Sequence, residues 1–402
     1  MNLLQRMMRP LIKNRPIKIG ITCVLAFIVC FSLVLSGPWG QLILVEPEPV
    51  PDEVIAAPPT PEPTPEPTPE PTPEPTPEPT PEPTPEPVME AVNPLTGLPI
   101  EESKEHKRPV AVSLSNDPGA LPMNGVSSAD IIYEFLIEGG WTRMLGIFQD
   151  FTSVPKAGSI RSARHYTAQI VAGYDAIFVH AGGSEPWAYN EIRDLGITNF
   201  DEVRGTRSAI FFRDRTRTGR RLMHLHSLVI TGERVARYFP DYNIRLEHNE
   251  GFDLGLHFTD DGTPAGGAVA NKAVVTYSGA KRSTFNYNSQ ANVYHLQQNF
   301  SSNRNIEFTD ATDGSKPEFT NVLVLRMSVS SLAGGGGRQD IVTVGSGEGY
   351  FLNGGRYIEI EWSREDRHSP FIYKTKNGSV LELGKGNTFI SIIPRNQSVD
   401  IS

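Results

Sequence analysis

Cysteine is almost absent from this sequence. The 402-residue chain has two, Cys23 and Cys30, and both lie in an apolar stretch near the N-terminus. Everything after that stretch therefore lacks a thiol. This excludes disulfide bonds, cysteine-containing metal sites and a cysteine nucleophile from the remaining sequence.

Long hydrophobic runs are also scarce, and the sequence contains one. Residues 19–45 carry no charge, and residues 19–35 are almost wholly apolar, enough with flanking residues to cross a bilayer. Basic residues precede this run and acidic residues follow it, which keeps the N-terminus in the cytoplasm. The sequence thus predicts a cytoplasmic segment at 1–18 and a single-pass transmembrane anchor at 19–37, with the rest of the chain outside the cell.

Two other roles compete for the apolar run. A cleaved signal peptide would have a similar basic start, and Val34-Leu35-Ser36 is an acceptable cleavage site; the module would then be secreted. A lipoprotein would need a small residue before its acceptor cysteine, whereas Val29 precedes Cys30 and more apolar sequence follows. We therefore expect a cell-membrane anchor, with secretion after cleavage as the alternative.

A proline-rich stalk follows the apolar run. Thr-Pro-Glu-Pro repeats seven times across residues 60–87. Proline at every second position fixes φ and no apolar side chain is available for burial, so the repeat favours polyproline II and would span about 85 Å when extended. We predict a disordered stalk at 38–92 that acts as a spacer.

The acidity of the chain belongs mainly to this stalk. The net charge is −9, but eleven acids lie in the Thr-Pro-Glu-Pro repeat or shortly before it and five bases precede the apolar run, which leaves 32 bases and 35 acids. This nearly neutral remainder gives no indication of a nucleic-acid partner. It is roughly 310 residues long, enough for two domains of ordinary size.

The sequence after the stalk divides by pattern at about residue 250. In residues 93–250, strands and helices alternate, which predicts an α/β domain. Residues 262–396 contain short strands separated by glycine and asparagine turns, which predicts a mostly antiparallel β domain and an α+β fold overall. The predicted elements of the first domain are strands at 108–114, 129–136, 144–149 and 176–183, and helices at 161–172 and 185–195.

Charged residues cluster where strands end or helices begin, the usual place for ligand sites in α/β sheets. In residues 156–165 a glycine turn leads into the predicted helix, and Arg161 and Arg164 would share one helical face. Two such arginines can clamp a carboxylate or phosphate at the positive end of a helix. The predicted ligand-binding set is Asp130, Glu134, Arg143, Ser159, Arg161 and Arg164.

A hydrolytic site is the second hypothesis. Glu138 is the best-placed acid because it lies in a turn before Gly139-Gly140 rather than within a strand. With His180 or His226 it could perform acid–base chemistry on a wall glycan. The competing interpretation is that the acids of this region are paired with its arginines.

Metal and cofactor motifs are weak. His224 and His226 could share one side of a strand with His180 as a third ligand, but no carboxylate stands at ligand spacing, so we predict no metal site. The glycine runs 334–337 and 345–349 lack the following helix and Lys-Ser/Thr ending of a phosphate loop, so we predict hairpin loops and no cofactor.

Several short motifs occur together in the sequence after the stalk. They are Asn93-Pro94-Leu95-Thr96-Gly97, residues 129–134, residues 138–143, Gly158-Ser159-Ile160-Arg161-Ser162-Ala163-Arg164, residues 173–176, residues 345–349, residues 362–364 and residues 384–388. Jointly they resemble the YerB-like family of bacterial surface lipoproteins, which has N- and C-terminal DUF3048-type domains of unknown function. The resemblance implies a two-domain extracytoplasmic protein and no established activity. An apolar anchor stands where that family has a lipid-accepting cysteine, and Leu225-His226-Ser227 stands where it has Pro-His-Asn.

The preferred hypothesis is an envelope binding or scaffolding module whose arginine-rich cleft holds an anionic or glycan ligand. Its partners would be the membrane, through the N-terminal helix, and a cell-wall glycan or an envelope protein. The alternative is a cell-wall hydrolase or lyase that uses a glutamate–histidine pair.

Overall fold

The computed structural model describes residues 91–217, 223–301 and 304–402. The predicted anchor, and all but the last two residues of the predicted stalk, lie outside these ranges. None of the helices within them combines the length and hydropathy needed to span a membrane.

The described chain is strand-rich with few helices, the α+β class that the sequence predicted. Its α-helices are α1 (Glu102–Glu105), α2 (His165–Gly173), α3 (Trp187–Asp194) and α4 (Gly232–Tyr238). Its strands are β1 (Val110–Ser115), β2 (Ile131–Leu136), β3 (Thr142–Phe148), β4 (Ala157–Gly158), β5 (Ile177–His180), β6 (Asn199–Asp201), β7 (Phe212–Arg213), β8 (Leu228–Ile230), β9 (His257–Thr259), β10 (Ala268–Val269), β11 (Lys272–Ser278), β12 (Lys281–Asn288), β13 (Val293–Phe300), β14 (Arg304–Glu307), β15 (Asn321–Met327), β16 (Val329–Ser331), β17 (Gln339–Ile341), β18 (Gly345–Asn353), β19 (Arg356–Arg364), β20 (Ile372–Thr375), β21 (Glu382–Gly384), β22 (Thr388–Pro394) and β23 (Val399–Ile401).

An 11-stranded sheet runs through both predicted domain segments. Its order is β10-β19-β18-β15-β22-β2-β3-β1-β5-β6, and β20 pairs with β19. The two segments meet where β22 lies parallel to β2, from Ile131 beside Thr388 to Phe135 beside Ile392. Residues 93–250 and 262–396 therefore share one continuous sheet.

Both faces of this main sheet are covered. A five-stranded sheet in the order β14-β13-β12-β11-β23 packs on one face, where Phe285 meets Phe389 with ring centroids 5.1 Å apart. Helices α2 and α3 pack on the other face, against residues such as Tyr133 and Leu145. All six residues of β2 are buried, which fits a nearly continuous apolar run in a strand covered on both sides.

Helix α2 begins at His165, so the prediction of a helix from Arg161 was wrong. The backbone groups before it bond to strands instead: Ala157 and Gly158 pair with β8, and Ala163 N–H donates to the Gly182 carbonyl. Arg164 is the residue before the first turn and is extended, with φ −123° and ψ 156°. Arg161 and Arg164 are therefore not on a helical face.

The second glycine run was also misassigned. Residues 345–349 lie in β18 rather than in a hairpin loop. A β-carbon on Gly347 would lie 2.7 Å from Trp362 Nε1, and one on Gly349 would lie 2.4 Å from the Val324 carbonyl oxygen. The glycines permit this close packing within the sheet.

Candidate functional site

The candidate site lies where several central strands of the main sheet end. Strands β1 and β2 are both antiparallel to β3, and β5 is parallel to β1, so β1, β2 and β5 end at the edge where β3 begins. The segment before α2 lies against the end of β1, since Ser115 N–H donates to the Ser159 carbonyl at 2.9 Å and Arg161 N–H to the Ser113 carbonyl at 2.8 Å. This brings Arg161 and Arg164 to the first residues of β3.

The Ser162 carbonyl accepts hydrogen bonds from two guanidinium groups. Arg143 Nη1 donates to this oxygen at 2.6 Å and Arg164 Nη1 at 3.4 Å, and Ser113 Oγ donates at 3.3 Å. Both arginines are buried, with 5% and 7% of their surface exposed. Two like charges are thus held together by hydrogen bonds to one backbone oxygen.

Glu138 pairs with only one of these arginines. Arg164 Nε donates to Glu138 Oε1 at 2.9 Å and Nη2 donates to Oε2 at 2.6 Å, a bidentate ion pair. Burial raises the pKa of the Glu138 carboxyl, but the hydrogen bonds and charge of Arg164 outweigh burial and the net pKa is lowered. Glu138 is therefore ionised at neutral pH.

Arg143 has no such counter-ion. Within the described residues its guanidinium hydrogen-bonds to the Ser162 carbonyl and forms no ion pair. Burial, together with the charges of Arg164 and Arg161, lowers the pKa of Arg143 to about 9. The nearest described groups thus leave this cation without a contacting carboxylate.

Arg161 is the most exposed arginine of the site, and the buried His226 lies near it. Arg161 is half-buried and its Nη1 donates to the Leu225 carbonyl at 3.2 Å. His226 is 5% exposed, and its Nε2 lies 3.7 Å from Asp117 Oδ1. Burial lowers the pKa of His226, and the charge of Arg161 adds to that effect, so this imidazole is neutral at pH 7. His226 belongs to the 3-10 helix Met223–His226 rather than to a strand.

We call Glu138, Arg143, Arg161, Ser162 and Arg164 the arginine site. Four of its members were predicted from sequence, and His226 lies beside it. Ser162 and the neighbouring Asp117 were missed as contributors. Ser162 acts through its backbone carbonyl, a group every residue has, and Asp117 lies on a loop after β1 without a recognisable motif.

Asp130 and Glu134 are placed away from the arginine site. Asp130 precedes β2 at the opposite end from Arg143, where its carboxylate accepts hydrogen bonds from Asn93 Nδ2 at 2.8 Å and from Gln149 N–H at 2.6 Å. Glu134 lies on the other face of the sheet, where it forms a fully buried ion pair with Lys281 at 3.0 Å. Both carboxylates have internal hydrogen-bonding roles in these positions.

The remaining predicted residues are enclosed. His180 is fully buried, with its Nδ1 2.9 Å from the Gly182 carbonyl and 3.8 Å from Asp201 Oδ1, and burial lowers its pKa. Ser159 is fully buried, and its hydroxyl has no hydrogen-bond partner within the described ranges. Neither His180 nor His226 hydrogen-bonds to Glu138 within the described residues. These groups therefore form no assembled acid–base pair with Glu138 in this conformation.

Comparisons with known proteins give one consistent result. The family described as "Protein of unknown function (DUF3048) N-terminal domain" matches residues 95–245, and the corresponding C-terminal domain matches residues 273–390. The chain is 30% identical to "Putative lipoprotein YerB" of Bacillus subtilis (strain 168) over 312 residues, which is 77% of this chain and 88% of that protein.

A solved structure gives the same result. The crystal structure of YerB protein from Bacillus subtilis matches with a TM-score of 0.64 and 26% identity, and the match covers 77% of this chain and 99% of that chain. Sequence and fold agree over nearly the same share of the chain. The chain therefore belongs to the YerB-like family that contains the N- and C-terminal DUF3048 domains.

Proposed function

We propose that this chain is a membrane-tethered, extracytoplasmic binding protein of the cell envelope, and that its arginine site holds an anionic group of the ligand. The placement is supported by the similar protein's name as a lipoprotein and by the basic flank of the apolar N-terminal run. The ligand class is supported by the charge balance of the site.

The observation that carries this proposal is the buried guanidinium of Arg143, which forms no ion pair with any described residue. A buried charge without a partner costs several kcal/mol, and here two further arginines increase the repulsion. Among the residues that the structure describes, Glu138 is the one carboxylate in direct contact with these cations, although Asp117 acts on Arg161 through space. An incoming carboxylate or phosphate would supply negative charge and accept hydrogen bonds from the arginine N–H groups.

The state of Glu138 favours binding over hydrolysis. A general acid must hold a proton at working pH, whereas the pKa of Glu138 is lowered and its carboxylate occupies the fork of Arg164. In this geometry Glu138 occupies the place that a ligand carboxylate would take. We therefore place the glutamate–histidine hydrolase second.

Replacing Arg161 with glutamine should weaken anion binding about tenfold, because a charge-assisted hydrogen bond to the ligand is lost. Glu138→Gln should instead strengthen it, since Arg164 loses its charged competitor. We would measure binding of the purified full-length chain to muropeptides, inorganic polyphosphate and a neutral chitin oligosaccharide. The anionic probes should bind more tightly than the neutral one, and high salt should weaken them.

The matched control is Arg282→Gln, which removes an exposed arginine from β12 on the five-stranded sheet. It should leave binding unchanged. Equal affinity for the neutral sugar, or an Arg161→Gln variant that binds as well as the parent, would refute the anion site. Mass spectrometry of the same samples tests the alternative: cleavage products that disappear in Glu138→Gln while binding persists would establish a hydrolase.

A further inference from the structure

We infer that the anionic group at the arginine site belongs to a polypeptide segment whose carboxylate is flanked by large apolar side chains; this inference rests on the function proposed above. It is carried by what surrounds the arginines. Val203 and Leu225 are the most exposed large apolar side chains in the described part of the chain, at 64% and 55%. Both border the arginine site.

Contacts place each of them beside it. The Leu225 carbonyl accepts a hydrogen bond from Arg161 Nη1 at 3.2 Å. On the other side, Gly182 separates Val203 from Ser162: a β-carbon on Gly182 would lie 3.2 Å from Val203 Cγ2 and 3.6 Å from Ser162 Oγ. Because Gly182 has no side chain, the space between Val203 and Ser162 is not filled.

Arg213 connects the two positions. Its Nη2 lies 3.6 Å from Oε1 of Glu202, the residue before Val203, and it is close enough to Arg161 for its charge to lower that residue's pKa. We call Arg161, Val203, Arg213 and Leu225 the apolar–basic patch. It places exposed aliphatic surface beside the guanidinium groups of the arginine site.

This combination fits a polypeptide better than a phosphate polymer or a sugar. Single exposed aliphatic side chains are common, but two beside a cluster of arginines combine apolar area that a partner can bury with arginine, a residue enriched in protein interfaces. Phosphate and sugar hydroxyl groups would not gain from covering valine and leucine. The group already in the fork of Arg164 is also a side-chain carboxylate, that of Glu138.

A peptide array probed with the full-length chain would test the inference. Acidic peptides with Leu, Ile, Val or Phe within two positions of the acid should bind about tenfold more tightly than the same peptides with serine at those positions. Val203→Ser combined with Leu225→Ser should abolish this preference but retain binding of polyphosphate. Arg161→Gln should weaken both. Val269→Ser changes a valine of similar exposure, 52%, on edge strand β10 of the main sheet; it is the matched control and should change nothing.

The possible failures are distinguishable. If acidic peptides bind without any preference for apolar neighbours, or if no peptide binds while polyphosphate does, the inference is wrong and the anion site stands. If phosphatidylglycerol vesicles bind the parent more tightly than the Val203→Ser/Leu225→Ser variant, beyond the binding that the apolar N-terminal run gives to both chains, the patch contacts lipid and the inference is again wrong. If neither peptides nor anions respond to Arg161→Gln, the proposed function fails as well.

Discussion

Replacing Lys281 with methionine is expected to lower the free energy of unfolding by about 3–5 kcal/mol, because it leaves a buried carboxylate without its counter-ion. Lys281 Nζ lies 3.0 Å from Glu134 Oε1, and both side chains are wholly buried between the two sheets. The ammonium also donates to Ser283 Oγ at 2.6 Å and to the Arg282 carbonyl at 2.8 Å. Methionine fills a similar volume but provides neither the charge nor the donors.

The Glu134 carboxylate also accepts several hydrogen bonds. Asn116 Nδ2 and Thr142 Oγ1 each donate to Glu134 Oε1 at 2.7 Å, and Ser283 Oγ donates to Oε2 at 2.7 Å. Glu134 and Thr142 come from strands β2 and β3 of the main sheet, while Ser283 and Lys281 come from β12 of the five-stranded sheet. The network therefore fastens the two sheets to each other through polar groups inside an apolar core.

Urea denaturation of the full-length chain, followed by tryptophan fluorescence, would measure the cost. Lys272→Met, an exposed lysine on neighbouring β11, is the matched control and should change stability by less than about 0.5 kcal/mol. Glu134→Gln combined with Lys281→Met should recover part of the loss, since no uncompensated charge remains. A Lys281→Met variant as stable as Lys272→Met would show that the ion pair contributes nothing.

Glu134 and Lys281 also show where sequence reasoning reaches its limit. The sequence of residues 129–136 predicted a strand with polar residues at its ends, and the two-residue alternation places Glu134 on the same face as Ile132 and Leu136. The sequence of β2 does not say which element covers that face. The partner lies 147 residues away on β12, and no local pattern connects two such distant positions.

The arginine site was predicted for partly the wrong reason. Apolar residues at helical spacing continue upstream of His165, so the pattern favoured a helix from Arg161. The backbone of residues 157–163 bonds to strands and to Gly182 instead, because tertiary pairing overrides local periodicity there. The two arginines still meet Arg143, since the segment lies across the strand ends where α/β sheets commonly bind ligands.

Asp130→Asn should remove a pH dependence of stability. Burial raises the pKa of the Asp130 carboxyl to about 6, despite hydrogen bonds from Gln149 and Asn93 that lower it. In the unfolded chain an aspartate titrates near about 3.9. The native state thus binds this proton more tightly, so the group stabilises the fold fully below about pH 4 and the contribution is lost as pH rises through about 6. The difference corresponds to roughly 3 kcal/mol.

Asparagine cannot titrate, so the unfolding free energy of the parent should fall by about 2 kcal/mol relative to Asp130→Asn between about pH 4 and 7. The variant will also lose one hydrogen bond, because its amide nitrogen faces a donor, but that cost does not depend on pH. The two pH profiles must therefore be compared by slope. Asp313→Asn provides a control of opposite sign, since hydrogen bonds from Ser315 lower the pKa of Asp313 and its contribution disappears as pH falls. Parallel profiles for the parent and Asp130→Asn would mean that Asp130 is not protonated preferentially in the fold.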